Sequence, residues 1–542
     1  MSMAERRTTT NGSERVGLLL LILAAFAWRL AGLTQQSLWR DEVDVIWLAI
    51  RPLRETVSMF VAPAQNGPLY FLLMRPWFAL AGTSEYALRY TSALTSLLAI
   101  GLIWQVARRL LPSNGLPAGG RLTLANTPLL AAFLLALHPY QLWYGQEGKM
   151  YALVVVLTLA STWAWLEAMR VGSGLRWLGY LIVTSLCIYT HLLSALILPI
   201  HFVWFLLAAP LNRQRWRGYG LTLTGFVLPY LPLIWWQWHY LTTLDYQTGY
   251  AFTAFADVVR VLLLDHAGAA LSQRSIYWIV PIVFLVLGGL LVGGSEEDTT
   301  EETEFLQKTQ FLPVAPALRV RPALRIGMLA VWLVGPVLLL YGVSTIKPLF
   351  VDRYLIWIGP AFVLLLALGL RVVYHSGGRV ARLGAGLLLL FVVGLWTVNG
   401  WQQTVTPNKT QLRQAVTFVA ERRQPDQLLI LQIPHTHYAW RYYTSDFGGD
   451  PFTDGETRLA PWAEGLWTQN GLPDDQARAE VDGAMRRITD GYDEAWVVLV
   501  EAGSWDGRRL MDGWLDEHGT QEETKTFYGI EVRRYRLCNA SC

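Results

Sequence analysis

The sequence is poor in the residues and motifs that mark several large protein classes. Cysteine occurs only three times in 542 residues, which is too few for a disulfide framework. Charged residues make up 16% of the chain and the formal net charge is +3, which gives no support to a nucleic-acid partner. A phosphate-cradling glycine loop, an HExxH pair and a serine-nucleophile motif are all lacking. His435 and His437 have no clear third metal ligand in the sequence and are interpreted as structural.

Long apolar segments are what the sequence has in abundance. Hydrophobic residues make up 53% of it, in blocks such as 16–27, 151–166 and 361–370. A helix of about 18 or more apolar residues crosses the roughly 30 Å of hydrocarbon in a bilayer. Trp and Tyr are frequent at the ends of these blocks, as they are at membrane interfaces. We therefore predict a polytopic α-helical membrane protein. A cleaved signal peptide near Arg6 and Arg7 is the less favoured alternative.

Eleven apolar segments are predicted to span the bilayer. The block 177–210 would be about 50 Å long as one helix, so we predict that it breaks near Thr190 and His191. The block 68–81 is short and carries an arginine and a proline, so it is predicted to be a helix lying at the interface in the first outer loop. The predicted spans are 16–33, 90–107, 128–145, 151–169, 177–191, 192–209, 219–238, 276–294, 326–344, 354–372 and 383–400.

The arginines orient these spans. When 68–81 is not counted as a span, the arginine clusters in the loops fall on the same side as the basic N-terminus, which the positive-inside rule assigns to the cytoplasm. Counting 68–81 as a span would place these arginine clusters on the extracytoplasmic side. We therefore predict a cytoplasmic N-terminus and an extracytoplasmic C-terminus. The clustered residues are Arg108, Arg109, Arg121, Arg170, Arg176, Arg213, Arg215, Arg217, Arg319, Arg321, Arg325, Arg371, Arg379 and Arg382.

Two domains are predicted, a membrane domain over 1–400 and a soluble extracytoplasmic domain over 401–542. The acidic stretch 295–304 is predicted to be a disordered cytoplasmic linker. After about residue 401, helical segments alternate with strand-like ones, which indicates a small α/β module. Its predicted helices are 409–423 and 507–517, and its predicted strands are 427–433, 495–501 and 528–537.

Carboxylates and cations collect on the predicted outer face, at the ends of helices. Each of them alone has a structural alternative, because acids favour helix N-termini and long cations anchor helices at the interface. A glutamate beside a lysine can also be a weak surface ion pair, and a lone histidine is more often structural than catalytic. A functional site is indicated because the whole set is predicted to lie on the same face of the membrane. Its members are Asp41, Glu42, Arg89, Glu147, Lys149, Tyr151, His191, Lys347, Arg353 and Tyr354.

An ordered series of motifs over roughly residues 15–400 resembles a known family. The series is similar to the polytopic GT-C glycosyltransferases of the family 39 type, which include protein O-mannosyltransferases and the lipid A aminoarabinose transferase. Lys149 departs from the pattern because relatives commonly carry arginine there, and Asn66-Gly67 departs because relatives often have His-Pro or Pro-Pro there. The motifs are SLWRDE at 37–42, NGPLYFLLMRPWFALAGTSEYALRYTSAL at 66–94, HPYQLWYGQEGKMYAL at 138–153, YTH at 189–191 and KPLFVDRYLIWIGPAF at 347–362.

The resemblance implies an inverting transfer of a sugar from a polyprenyl-phosphate donor on the extracytoplasmic side. It implies that Asp41 is the catalytic carboxylate, with Glu42 beside it. We expect Lys149 and Arg353, with Arg89 as a weaker third cation, to hold the donor phosphate in one pocket with these acids. No cofactor is expected, and a divalent metal on the paired carboxylates is not favoured. The further pocket candidates are Glu147, Tyr151, His191, Lys347 and Tyr354.

Two other functions compete with this interpretation. A lipid or glycolipid transporter would place ionisable residues near the middle of its spans and show repeated halves, and the sequence shows neither pattern. A non-catalytic assembly or sensor protein would tolerate alanine at Asp41 and Lys149. The sequence leaves open which sugar is moved, and whether the acceptor is a protein, a glycolipid or another envelope glycan.

Overall fold

The computed structural model describes residues 3–58, 67–111, 124, 126–208, 213–242, 251–268, 276–292, 322–444, 457–459 and 472–538. The chain forms two compact units. The first, the membrane unit, comprises Met1–Ala31, Arg51–Gly82 and Ala87–Gln403. The second, the α/β unit, comprises Gly32–Ile50, Thr83–Tyr86 and Thr404–Cys542. Two short stretches that precede residue 400 therefore belong with the C-terminal part of the chain. The linker predicted at 295–304 lies outside the described residues.

The membrane unit is built from helices. Five segments are long and apolar enough to cross a membrane: Glu85–Leu110, Tyr151–Val171, Leu324–Ser344, Asp352–His375 and Gly378–Val405. Each of the eleven predicted spans overlaps a helix, while the total number of crossings stays a prediction. The helices up to residue 405, of which α2 belongs to the α/β unit, are α1 Met3–Leu30, α2 Arg40–Ile50, α3 Leu53–Ser58, α4 Leu69–Ala81, α5 Glu85–Leu110, α6 Thr127–Leu137, α7 Pro139–Gly145, α8 Tyr151–Val171, α9 Gly174–Thr190, α10 Ile197–Ala208, α11 Arg213–Thr242, α12 Phe255–His266, α13 Ile276–Val292, α14 Pro322–Ser344, α15 Gly359–His375 and α16 Gly378–Val405.

One predicted span consists of two α-helices. The segment 128–145 is divided at His138, whose extended ψ of 116° ends α6 before Pro139 begins α7. The residue before a proline is pushed out of the helical region by the proline ring, which accounts for the division. Helix α6 begins at a capped end, because the Asn126 side chain accepts a hydrogen bond from the Leu129 amide.

The predicted break near His191 is confirmed. Helix α9 ends at Thr190, and His191 is extended, with φ −150° and ψ 117°. A 3-10 helix, Leu192–Leu196, then leads into α10. A second 3-10 helix, Asp352–Ile358, precedes α15. His191 directly precedes the first 3-10 helix, and the second brings Arg353 and Tyr354 to the start of α15, which is buried over most of its length.

The α/β unit contains a five-stranded mixed sheet, which confirms the predicted α/β module. The strand order is β2-β1-β3-β5-β4, with β2, β1 and β3 parallel and β5 antiparallel to both its neighbours. Five further helices accompany the sheet in the described part of the chain after residue 405. The elements are α17 Leu412–Ala420, β1 Leu428–Leu431, α18 Pro434–Thr444, β2 Thr457–Leu459, α19 Asp474–Thr489, β3 Glu494–Val500, a short helix Ala502–Trp505, α20 Leu510–His518, β4 Gly519–Phe527 and β5 Ile530–Leu537.

Hydrophobic burial and one tight turn hold the sheet in register. Strand β1 is buried at all four positions, as expected for a central parallel strand, and its Leu428 pairs with Ala495 of β3. Strands β4 and β5 form a hairpin in which Gly529 adopts a φ of +72°, a conformation that glycine takes at little cost.

Candidate functional site

Five of the predicted site residues lie together in the membrane unit; we call them the cation cluster. Arg353 is the second residue of the 3-10 helix Asp352–Ile358, and its Nε donates a hydrogen bond of 2.9 Å to the Tyr151 hydroxyl. Its guanidinium lies 6.0 Å from the Tyr151 ring centroid and 5.9 Å from that of Tyr354. The His191 ring lies 5.0 Å from the Tyr354 ring and 5.9 Å from the Tyr151 ring. Lys149 is the fifth member.

Lys149 is held in the turn between α7 and α8. Its backbone carbonyl accepts a hydrogen bond from Ser92, and the preceding Gly148 lies so close to Leu88 that a Cβ there would meet the leucine at 2.3 Å. The residue is only 9% exposed, yet among the described residues no carboxylate lies within ion-pair distance of its ammonium. Both Lys149 and Arg353 act electrostatically on His191. Two cations therefore converge on one ring, which favours binding of an anion.

The remaining predicted cations and Glu147 are also buried or partly buried. Glu147 is buried and accepts a hydrogen bond of 3.0 Å from the Trp143 indole, so it is not an exposed surface charge. Arg89 is 1% exposed, near the start of α5. Lys347 is partly buried after the end of α14. The structure thus brings Lys149, Arg353 and the three aromatic residues together.

Sequence reasoning missed a pair of carboxyl groups beside this cluster. Asp352 immediately precedes Arg353, and its Oδ2 accepts a hydrogen bond of 3.1 Å from the Tyr140 hydroxyl. Asp265, at the end of α12, lies in side-chain hydrogen-bond contact with Asp352. The only signal in the sequence was the acidic residue at the end of an amphipathic helix in an outer segment. Nothing in the sequence paired it with a residue 87 positions later.

The second group of predicted residues, Asp41 and Glu42, belongs to the α/β unit. Both lie in the first turn of α2, where acidic side chains complement the helix N-terminus. Glu42 is fully buried, and its Oε2 accepts a hydrogen bond of 3.2 Å from the Lys409 ammonium. The Asp41 side chain is 15% exposed, and its Oδ1 lies 3.5 Å from Arg40 Nε. Arg40 in turn lies 3.8 Å from Glu501.

The segment that carries these acids is anchored within the α/β unit. Ser37 donates a 2.7 Å hydrogen bond to Gln414 of α17, and the Leu38 amide donates one of 2.8 Å to the Tyr443 hydroxyl. Tyr443 donates to Glu85, and burial followed by the Glu85 carboxylate raises the pKa of Tyr443. These contacts fix the start of α2, and with it the direction of Asp41. Of the two acids, Asp41 keeps a partly exposed side chain and Glu42 does not.

The burial of Glu42 and Lys409 predicts a large effect on stability. Their side chains are 0% and 9% exposed, so replacing Lys409 with Met removes a positive partner from a buried carboxylate. We expect Lys409→Met to lower the free energy of unfolding of the α/β unit by about 3–5 kcal/mol. Pulse proteolysis of the full chain in urea measures it. The control is Arg486→Met, which removes an exposed pair with Asp482 and should lower the free energy of unfolding far less, because exposed ion pairs contribute little to stability. Equal losses of stability in the two variants would show that the buried Glu42–Lys409 pair stabilises the fold no more than an exposed ion pair does.

Comparisons with known proteins show the fold but no family. The sequence matches no family model, and no curated protein is significantly similar to it. ArnT from Cupriavidus metallidurans in the apo state is similar in structure, with a TM-score of 0.54 and 15% identity over 95% of this chain and 97% of that chain. The same protein bound to undecaprenyl phosphate gives a TM-score of 0.50 and 14% identity over the same shares. Arabinofuranosyltransferase AftD from Mycobacteria gives a TM-score of 0.48 and 15% identity over 97% of this chain and 42% of that chain.

The similarity to ArnT gives the chain its fold class. The predicted GT-C-like fold is confirmed at this level, whereas membership of family 39 stays a prediction. Together with the five long apolar helices, this fold makes the chain an integral membrane protein. Its orientation in the membrane stays a prediction.

Proposed function

We propose that this chain is an inverting glycosyltransferase that moves a sugar from a polyprenyl-phosphate donor to an acceptor hydroxyl on the extracytoplasmic face. The observation that carries the proposal is the cation cluster, in which the buried Lys149 and the half-buried Arg353 both act electrostatically on His191. The cluster lies in a fold shared with ArnT, which has been solved bound to undecaprenyl phosphate. We further propose eleven spans, a cytoplasmic N-terminus and an extracytoplasmic α/β unit.

The donor phosphate is the anion that fits the cation cluster best. Arg353 is oriented by its hydrogen bond to Tyr151, and Lys149 supplies a second positive charge from a nearly closed site. Cations fixed beforehand stabilise the charge that develops on the phosphate as the bond to the sugar breaks. The leaving polyprenyl phosphate is a weak base, with a second pKa of about 6, so it departs without a strong general acid.

Asp41 is proposed as the general base that accepts the proton of the acceptor hydroxyl while the oxygen attacks the sugar C1. Its partly exposed carboxylate at the start of α2 suits this role. Glu42 is fully buried against Lys409, and this favours a role in holding α2 over contact with the sugar. Tyr151, His191 and Tyr354 are proposed to line the donor site, since their rings surround the Arg353 guanidinium.

Lipid analysis tests the proposal directly. Membranes from cells that overproduce the chain are incubated with radiolabelled polyprenyl-phosphate sugars, and the lipids are separated by thin-layer chromatography. We expect the label of one donor to move to a new acceptor, and expect no such movement with membranes that contain the Asp41→Asn variant. Donors that all remain intact in overproducing membranes would reject the proposal. The acceptor is identified from the labelled product.

Metal independence is a separate prediction. Lys149 and Arg353 would supply the positive charge that Mg²⁺ or Mn²⁺ supplies to phosphate in other enzymes. We therefore expect sugar transfer to continue at an unchanged rate in excess EDTA. Loss of transfer in EDTA, with recovery on adding Mg²⁺ or Mn²⁺, would instead assign the metal to a carboxylate site of this chain.

A further inference from the structure

The carboxyl pair beside the cation cluster has no role in the transfer described so far. Asp265 is 7% exposed, and its side chain is in hydrogen-bond contact with the Asp352 carboxyl. Asp352 also accepts the hydrogen bond from Tyr140. The other groups that face the pair are Tyr144 of α7, His266 of α12, and Arg353 next in the chain.

We propose that Asp265 and Asp352 share one proton and act together as positioning residues that limit the negative charge beside Arg353, so that Arg353 can hold the donor phosphate. The inference rests on the proposed function, because it assigns a role to groups next to the phosphate-binding cation. It concerns a pair of residues to which the transfer mechanism gives no role.

The hydrogen bonding of the pair requires a shared proton. Two ionised carboxylates have no donor between them, so a hydrogen bond from one to the other needs a proton on one of them. Asp265 Oδ2 is buried and has no hydrogen-bond partner among the described residues. An ionised oxygen in that position would carry a large desolvation cost, whereas a neutral carboxyl carries much less. Asp265 is therefore the better site for the proton.

A row of tyrosines connects the pair to the cation cluster. The Tyr140 and Tyr144 ring centroids are 5.2 Å apart, and those of Tyr144 and Tyr151 are 5.0 Å apart. Tyr140 donates to Asp352, and Tyr151 accepts from Arg353. Tyr144 interacts electrostatically with both Asp352 and Arg353. The charge of the pair therefore acts on the same small region as the guanidinium.

The pH range in which the pair responds follows from its burial. Desolvation, and then the adjacent Asp352 carboxylate, raise the pKa of Asp265 to about 8. His266 supplies no compensating charge, because burial and then the His138 ring hold its pKa well below the usual range. While the shared proton is bound, the pair carries one negative charge. As the pH rises through this range the proton leaves, and the added charge competes with the phosphate for Arg353.

The test compares the donor KM of the wild type and of Asp265→Asn at pH 6.5 and pH 9. Asn keeps the shape of a protonated Asp and cannot ionise. We expect the wild-type KM to rise by up to about tenfold at one pH unit above the pKa of the pair, with a smaller change in kcat. In Asp265→Asn, and in Asp352→Asn as a second variant, the ratio of the two KM values should be near one. Asp257→Asn is the matched control, because this exposed residue lies on the same helix and should keep the wild-type ratio.

Equal KM ratios in the wild type and both Asn variants would overturn the inference. Loss of transfer in Asp265→Asn, together with inhibition of the wild type by EDTA, would overturn it as well. Thermal unfolding separates this failure from failure of the proposed function. A carboxyl whose pKa is raised on folding loses its contribution to stability as pH rises toward that pKa. The melting temperature of Asp265→Asn relative to the wild type should therefore rise between pH 5 and pH 8 and then stay constant. If the wild type has no transferase activity, the proposed function is rejected. The difference in melting temperature between Asp265→Asn and the wild type then decides by itself whether the two carboxyl groups share a proton.

Discussion

Replacing Asp41 with Asn is expected to reduce sugar transfer by about 10²–10⁴-fold, the contribution of a general base. Asn has nearly the same shape and still suits the first turn of α2, where the side chain is partly exposed. The free energy of unfolding should therefore change little, and the loss should appear in kcat more than in the donor KM. The measurement is the initial rate of transfer with purified protein at saturating donor.

The matched control for this variant is Asp44→Asn, one turn further along α2. It also removes one negative charge from the same helix, so a general effect of charge would lower the rate in both variants. We expect Asp44→Asn to keep most of the wild-type rate. If Asp41→Asn kept most of it as well, Asp41 would not be the base, and the role of α2 would be structural.

Replacing Arg353 with Ala is the second variant with a large expected effect. Removal of one fixed donor to developing negative charge costs about 3–4 kcal/mol in the transition state, so kcat/KM should fall by about 10²–10³-fold. Arg353→Lys keeps the charge but loses the planar guanidinium and the Nε that bonds Tyr151, so it should recover only part of the rate. Steady-state kinetics with varied donor concentration measure both effects.

Arg382→Ala is the control for Arg353. Arg382 also lies over a tyrosine ring, 5.8 Å from the Tyr374 centroid, but it is predicted on the cytoplasmic side. Its replacement removes an arginine–tyrosine contact without touching the cation cluster. A similar loss of kcat/KM in Arg382→Ala and Arg353→Ala would indicate loss of general stability, and would remove the support for phosphate binding at Arg353.

Much of the helical part could be predicted because apolar length is a local property of the sequence. The break at His191 followed from the length of 177–210 alone, and the structure has it. The division at His138 was missed because an apolar block was read as one helix, although Pro139 carries the physical reason. In the α/β unit, the central strand β1 was expected from its apolar run, while the exposed strand β4 was not.

The candidate site could be predicted only for residues that the predicted membrane topology placed on the same face of the bilayer. Lys149, Arg353 and the rings of Tyr151, His191 and Tyr354 were expected on one face and lie together. The partners of the buried acids were missed, because side-chain pairing over long sequence separations leaves no local pattern. Glu42 pairs with Lys409, 367 positions later. That Asp41 and the cation cluster share one pocket stays a prediction.

Mass balance with purified protein tests the central claim most directly. The wild-type chain is reconstituted in lipid vesicles with a radiolabelled polyprenyl-phosphate sugar, and the donor, the free polyprenyl phosphate and the labelled acceptor are quantified over time. The account predicts that polyprenyl phosphate accumulates as sugar is transferred, and that the Asp41→Asn and Arg353→Ala variants leave the donor intact. Vesicles in which the wild type moves the intact donor across the bilayer without cleaving it would contradict the account and identify a transporter.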